Sequence, residues 1–122
     1  MTSEDIRARL VQAVWREIRS LTPVTAANYP AAHRAVAAGA ASEDVVTAMT
    51  AAAYQVAFRI LFMLSCEHVE EGNYDADTGW TLLEATFIND RAVHMDNDAL
   101  NCVHEDLLSS DPTGQEGADL FR

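Results

Sequence analysis

The chain has 122 residues, of which 49% are hydrophobic and 22% are charged, and its formal net charge at pH 7 is −11. This length predicts one compact domain over residues 1–122, and the apolar content excludes a chain that is disordered throughout. The acidic balance argues against binding to nucleic acid or to a membrane surface, because both present negative charge.

The first predicted element is a helix that begins close to Ser3. This residue supplies a capping hydroxyl, and the two acidic residues after it place negative charge near the positive end of the helix dipole. Pro23 is expected to end the helix. One apolar face with helical spacing is made by Ile6, Leu10, Val14, Ile18 and Leu21.

Two more helices are predicted in the N-terminal half. Pro30 suits the first turn of a short helix that Gly39 ends. A Ser-Glu-Asp start signal at residues 42–44 then opens a long third helix, expected from Val45 to about Glu70. Because this helix is apolar on most faces, we expect it to lie in the core or in a homodimer interface. Its main apolar stripe consists of Val45, Met49, Ala52, Ala53, Val56, Ile60, Met63 and Leu64.

The C-terminal half predicts a hairpin, a short helix and a tail. Residues 80–88 and 91–95 have the composition of two strands joined by a turn at Asn89 and Asp90, after a polar loop over residues 73–79. Asp96 to Asp98 can cap a helix over about residues 99–108. Residues 109–122 form a tail whose last apolar side chains, Leu120 and Phe121, either strap back onto the core or contact a partner.

The predicted fold class is therefore α+β and mostly helical, with three N-terminal helices, a small β-hairpin and a short C-terminal helix. An all-α bundle is the alternative, because residues 82–85 (Leu-Leu-Glu-Ala) also fit a helix.

The cysteine content and the apolar segments predict a cytoplasmic protein with reduced thiols. Cys66 and Cys102 are too few for a disulfide framework, and the N-terminal sequence lacks the pattern of a secretory signal. The longest apolar stretch, residues 56–66, is shorter than the about 20 residues that a membrane span needs.

The acidic loop contains a weak candidate for a calcium site. Asn73, Asp75 and Asp77 alternate as the first ligands of a calcium-binding helix–loop–helix do, and Glu84 falls at the twelfth position. The sixth position, which requires a glycine for a sharp turn, is Thr78. An ordinary acidic loop without a metal is therefore the preferred interpretation.

Two Cys-x-His pairs present the side chains that zinc prefers: Cys66 with His68, and Cys102 with His104. Both pairs fall in predicted helices, where residues two positions apart point about 200° apart, so neither pair is expected to chelate an ion. The cysteines are interpreted as small apolar packing residues. A Cys66 nucleophile with His94 or His104 as its base has no supporting motif, and no cofactor is predicted.

Arg59 interrupts the apolar third helix, and a buried guanidinium requires a partner. Its helical neighbours supply no carboxylate, so the structural interpretation is either an ion pair with a distant segment or a side chain that snorkels to water. The candidate partners are Glu84, Glu105 and Asp106. The functional alternative is an anion-binding pocket around Arg59. The residues expected to line that pocket are Tyr54, Gln55 and His33.

The uneven distribution of charge leads to the functional hypothesis. Residues 1–61 carry six arginines against five acids, whereas residues 62–122 carry two arginines against fourteen acids. Without a catalytic motif, this favours a non-enzymatic interaction protein (an inhibitor, an immunity-type protein or a regulatory subunit) that binds a basic protein through its acidic half. The alternative is a small enzyme or small-molecule binder with the Arg59 pocket. The expected acidic surface comprises Glu70, Glu71, Asp75, Asp77, Asp96, Asp98, Glu105 and Asp106.

Overall fold

The computed structural model describes residues 2–94 and 98–122, and within them it contains five α-helices and a two-stranded antiparallel sheet. The α+β, mostly helical fold class is confirmed. The strands are β1 (Ala85–Ile88) and β2 (Arg91–His94). The helices are α1 (Ser3–Ile18), α2 (Pro23–Ala26), α3 (Pro30–Ala37), α4 (Ser42–Phe62) and α5 (Ala118–Phe121).

Helix α1 is capped by Thr2, one residue before the predicted start. The Thr2 hydroxyl accepts a hydrogen bond from the Asp5 N–H, and the Asp5 carboxylate accepts one from the Thr2 N–H, so two otherwise unpaired amide groups are satisfied. Pro23 was expected only to end this helix. It also opens the short helix α2, because proline is well suited to a first helical position.

Helix α4 is followed directly by a π-helical turn, Met63–Glu67, so the predicted third helix is confirmed but ends in a different geometry. The His68 N–H donates to the Met63 carbonyl across this wider turn, and His68 itself has a left-handed backbone with φ of 68°. Trp80 then closes the loop 69–79 onto the turn. Its backbone N–H donates to the His68 carbonyl, and its indole N–H donates to the Met63 carbonyl.

The predicted hairpin is confirmed, with shorter strands. Ala85 pairs with His94 and Ile88 with Arg91, and Asn89 and Asp90 between them both adopt positive φ, as a tight hairpin turn requires. Residues 80–84 have no regular secondary structure, so the first strand begins five residues later than expected. Met95 and the proposed capping residue Asp96 lie outside the described residues.

The helix predicted over residues 99–108 is wrong. The segment forms a turn and then two 3₁₀ helices, Val103–Asp106 and Leu108–Ser110. Cys102 has a left-handed backbone with φ of 48°, which interrupts any regular helix. In addition, the Arg7 guanidinium binds the carbonyl oxygens of Ala99 and Asn101, so these groups are held by a distant side chain.

The core lies between α1, α4 and the segment 99–111. Trp15 of α1 is fully buried, and its indole N–H donates to the Leu107 carbonyl at 2.6 Å. Its ring packs against Tyr54 of α4, and Phe121 of α5 meets the same tyrosine edge-on, so the tail folds back onto the core. The buried cluster consists of Val11, Trp15, Ile18, Tyr54, Leu61, Leu100, Val103 and Leu107.

Candidate functional site

The face of α4 that the sequence assigned to the core is largely exposed. Val56 is 58% exposed and Ile60 is 46% exposed, whereas Tyr54 and Leu61 on the opposite side are buried. The correction follows from the aromatic residues: Tyr54 and Phe58 bring the larger apolar area, and α1 and α5 pack on their side. We call this row, which is exposed at its centre and half-buried at its two methionine ends, the α4 stripe. It consists of Met49, Ala52, Val56, Ile60 and Met63.

Two adjoining clefts follow the α4 stripe and share Val56 and Ile60. The first has a volume of about 560 Å³ and lies between α4 and the Val14–Ile18 part of α1. The second has a volume of about 390 Å³ and extends along α4 into the π-helical turn. Together they form a shallow, mainly apolar channel in the surface.

Acidic side chains border this channel at both ends. Glu17 lines the first cleft, and Glu67 and Glu71 line the second together with Arg59. Arg59 is exposed and lies 3.8 Å from the Glu71 carboxylate, over the face of the Phe62 ring. The border therefore carries more negative than positive charge.

The continuous helix Ser42–Glu67, which includes the π-helical turn, is long and apolar enough to cross a membrane by length and composition. The sequence analysis considered a shorter segment, because it took the longest apolar stretch to be residues 56–66. Of the most apolar window of this helix, 17% is buried within the chain. The helix nevertheless packs against α1, α5 and the first 3₁₀ helix. Some of its apolar residues therefore lie in the core, and others lie at the surface.

The expected anion pocket is brought together only in part. Gln55 and Arg59 line the same cleft. Tyr54 lies in the core instead, where burial raises the pKa of its hydroxyl. His33 is an exposed residue of α3 and borders a separate cleft of about 80 Å³.

Of the two structural interpretations of Arg59, the side chain that snorkels to water agrees with the structure, whereas the buried guanidinium paired with a distant segment does not. Its side chain is 56% exposed, and the carboxylate near it belongs to Glu71, twelve residues along the chain. Of the expected partners, Asp106 binds Arg7, and Glu105 is exposed. Because the α4 stripe is uncovered, an arginine beside it reaches water without any buried counter-charge.

Arginines of α1 and of its C-cap neutralise part of the acidic half. The sequence analysis did not predict these ion pairs. Arg7 binds the Asp106 carboxylate at 2.7 Å and also donates to the carbonyls of Ala99, Asn101 and Cys102. Arg19 binds both Asp111 and Asp119 with paired hydrogen bonds. The signal was the position of these arginines off the apolar stripe of α1, facing acids about a hundred residues away.

Asp111 is the most tightly held of these carboxylates, with a fully buried side chain. Burial raises its pKa, but the N–H groups of Gly117 and Thr113 and the Arg19 guanidinium outweigh that effect and hold the pKa below its usual value. Hydrogen bonding to Asp119 and then to Asp111 in turn raises the pKa of Arg19. This cluster is a structural tie between α1 and the tail.

Most residues of the expected acidic surface are exposed in the part of the chain that the structure describes. Asp96 is outside the described residues, and Asp106 is half-buried in its ion pair with Arg7. Glu71 is exposed beside Arg59. The other expected surface residues are exposed: Glu70, Asp75, Asp77, Asp98 and Glu105.

The expectation of reduced, separate cysteines is overturned, because Cys66 and Cys102 form a disulfide. The sequence analysis placed each Cys-x-His pair in a regular helix, where its two side chains would point apart. The π-helical turn and the left-handed backbone at Cys102 replace these two helices. A ligand nitrogen of His104 lies within 4.8 Å of both sulfur atoms. The disulfide also removes the cysteine argument for a reducing compartment.

In the described residues, the calcium candidates do not gather into one site. Asn73 donates to the Glu70 carboxylate, and the chain continues into irregular structure and β1 instead of a helix. The one group of three or more potential ligands found there is Cys66, Cys102 and His104. Asp75, Asp77 and Glu84 are not part of it.

Comparison of the chain with family models, with curated proteins and with solved structures found no match.

Proposed function

We propose that this chain is a non-enzymatic interaction protein that binds a basic protein partner. The observation that carries the proposal is the α4 stripe, an exposed apolar row on a helix whose other face is in the core. Contiguous exposed apolar surface with a polar border is typical of protein interaction sites.

The proposed occupant is an amphipathic helix of the partner, with basic residues on either side of its apolar face. Ala52 and Ala53 leave room for a helix backbone to approach α4 closely, and Val56 and Ile60 provide apolar contact. Glu17, Glu67 and Glu71 at the border favour lysine and arginine in the partner.

The exposed acids after α4 extend this preference. The segment after the π-helical turn contains three further exposed acids, Glu70, Asp75 and Asp77. No arginine or lysine lies between residues 70 and 77. Their field attracts a cationic partner and raises its rate of association at low ionic strength. The acidic half thus supports orientation and speed of binding, while the α4 stripe supports affinity.

The alternative, an anion-binding pocket around Arg59, has weaker support. Glu67 and Glu71 share the cleft with Arg59, and the guanidinium is already close to the Glu71 carboxylate. An anion entering this cleft would meet both carboxylates. The variant Arg59→Met separates the two functions, because it removes an anion site but makes the border more favourable to a basic helix.

The test uses a synthetic helical peptide with leucines along one face and lysine and arginine beside them, titrated into the full chain by calorimetry. We expect binding that weakens as the salt concentration rises, and at least a tenfold loss of affinity in Ile60→Asp. The matched control is Phe87→Asp, which changes an exposed apolar residue of the hairpin and should leave binding unchanged.

Two results would overturn this proposal. The first is equal binding of a scrambled peptide of the same composition, with its leucines spread around the helix. The second is a stable dimer in sedimentation that Ile60→Asp dissociates, because the α4 stripe would then be covered by a second copy of the chain.

A further inference from the structure

We propose that Cys66, Cys102 and His104 form a redox-controlled site for a thiophilic metal ion, with Zn²⁺ as the expected ion. The disulfide is the oxidised, metal-free state of this site, and the reduced pair of cysteines is the metal-binding state. Two thiolates and one imidazole are a common ligand set for zinc, with a fourth position for water. This proposal does not depend on the proposed interaction function.

The first observation behind it is the closeness of the three side chains. The two sulfur atoms and a ligand nitrogen of His104 all lie within 4.8 Å of one another. A tetrahedral ion with zinc–sulfur distances of about 2.3 Å and zinc–nitrogen distances of about 2.0 Å holds its ligand atoms roughly 3.5 to 3.8 Å apart, a spacing that the two sulfurs can reach once the bond between them is broken.

The second observation is the state of the His104 ring. The residue is 8% exposed and lies between the rings of Phe58 and Phe62, with centroids 5.2 and 4.9 Å away. Its buried Nδ1 has no hydrogen-bond partner in the part of the chain that the structure describes. Buried polar atoms are nearly always paired, so an unpaired nitrogen on an imidazole ring that lies close to two sulfurs points to a ligand.

The third observation is that the backbone holds the cysteines together independently of their bond. The Cys102 N–H donates to the carbonyl of Ser65, the residue before Cys66, at 2.8 Å. Arg7 fixes the same loop through the carbonyls of Asn101 and Cys102. Reduction therefore leaves the two thiols close to His104, in a site that is already organised.

The chemistry balances with a thiol reductant. A dithiol transfers two electrons and two protons to the Cys66–Cys102 disulfide, which gives two thiols, while the dithiol becomes a disulfide. Binding of the divalent ion then releases both thiol protons to solvent, and the two thiolates neutralise the charge of the ion. A disulfide oxidant reverses these steps: it takes two electrons from the thiolates and two protons from solvent to become a dithiol, the Cys66–Cys102 disulfide forms again, and the divalent ion is released.

The test is a titration of the full chain with Co²⁺, followed by competition with Zn²⁺. The chain is first reduced with a phosphine and transferred to buffer without oxygen. We expect one Co²⁺ per chain, with thiolate-to-cobalt charge transfer and the intense visible bands of tetrahedral cobalt, all of them removed by Zn²⁺. The oxidised chain should show none of these bands.

The variants Cys66→Ser, Cys102→Ser and His104→Gln should each weaken Co²⁺ binding at least tenfold, with the fold checked by circular dichroism. His68→Gln is the matched control. His68 is near Cys66 in sequence, but its Nδ1 is engaged in a hydrogen bond with the Trp80 carbonyl. An equal loss in His68→Gln would overturn the assignment of the ligands.

A reduced chain that stays folded and binds no Co²⁺ or Zn²⁺ would overturn the proposal. If reduction alone unfolds the chain, recovery of the native circular dichroism spectrum on addition of Zn²⁺ supports it. Failure of the metal to restore the fold then counts against it.

Discussion

Asp111 shows how one buried carboxylate can make the stability of the fold depend on pH. Its pKa is held below the usual value in the folded chain, so its contribution is complete above the unfolded value of about 3.9. That contribution is lost as the pH falls through the lower, folded value. We therefore expect the free energy of unfolding to decrease on acidification below about pH 4.

The variant Asp111→Asn should destabilise the chain by about 2 kcal/mol at neutral pH, because Arg19 and two backbone N–H groups lose a charged acceptor. It should also flatten the acid limb of the stability profile. Urea unfolding between pH 3 and pH 7 measures both effects. Asp77→Asn, at an exposed position, is the control, and an equal change there would show that the buried cluster has no special role.

Single residues were the level at which the sequence was least informative. Arg59 and Arg7 are both arginines on helices with apolar residues around them. Arg59 is exposed at the α4 stripe, whereas Arg7 is bound to a loop more than ninety residues away. Which of the two has a buried partner is decided by long-range packing, and a helical pattern contains no information about that.

At the level of elements, Arg7 joins α1 to the segment that contains Cys102. The variant Arg7→Ala should destabilise the chain by about 2 kcal/mol, because three backbone carbonyls and the Asp106 carboxylate lose their donor. Arg16→Ala is the matched control on the exposed side of the same helix, with an expected change within about 0.5 kcal/mol. Thermal unfolding of both variants provides the comparison, and equal melting temperatures would contradict the role of Arg7.

The loop before the hairpin is fixed to the π-helical turn through a glycine. A Cβ at position 79 would overlap the backbone carbonyl oxygen of His68, which is also the acceptor for the Trp80 N–H. We expect Gly79→Ala to displace Trp80 and change its fluorescence emission. Gly72→Ala is the comparison in open space, although its positive φ adds backbone strain of its own. A native spectrum in Gly79→Ala would show that the loop is not held this closely.

Local signals predicted α1, α3, α4 and the hairpin turn, because capping residues, prolines and the Asn-Asp pair of the turn act within a few residues. They failed over residues 99–108, where the possible N-cap at residues 96–98 had indicated a helix. There, the left-handed backbone at Cys102, the Arg7 contacts and the disulfide all depend on partners far along the chain.

For the whole molecule, the disulfide links two segments 36 residues apart in sequence. A loop of this size predicts that reduction costs about 3 to 4 kcal/mol of stability. Denaturation in urea with and without a phosphine reductant measures the difference. A chain equally stable in both states would mean that the backbone contacts around Cys102 alone determine the native structure.

At the candidate site, the helix could be predicted from local sequence, but the side of it that faces the core could not. The composition of α4 revealed a helix that is apolar on most faces, but it did not show which face the core would take. That choice depends on where α1 and α5 pack, and so the α4 stripe was identified only from the three-dimensional arrangement.

The hydrogen bond from the Trp15 indole to the Leu107 carbonyl has a consequence for biosynthesis. A ribosome produces the chain from its N-terminus, so α1 is made long before the segment that completes its environment. Until residues 107–121 emerge, Trp15 lacks its acceptor and Arg19 lacks both of its carboxylates. The indole N–H of Trp15 therefore stays without this partner until residue 107 has been made, so α1 completes its packing only when that later segment is present.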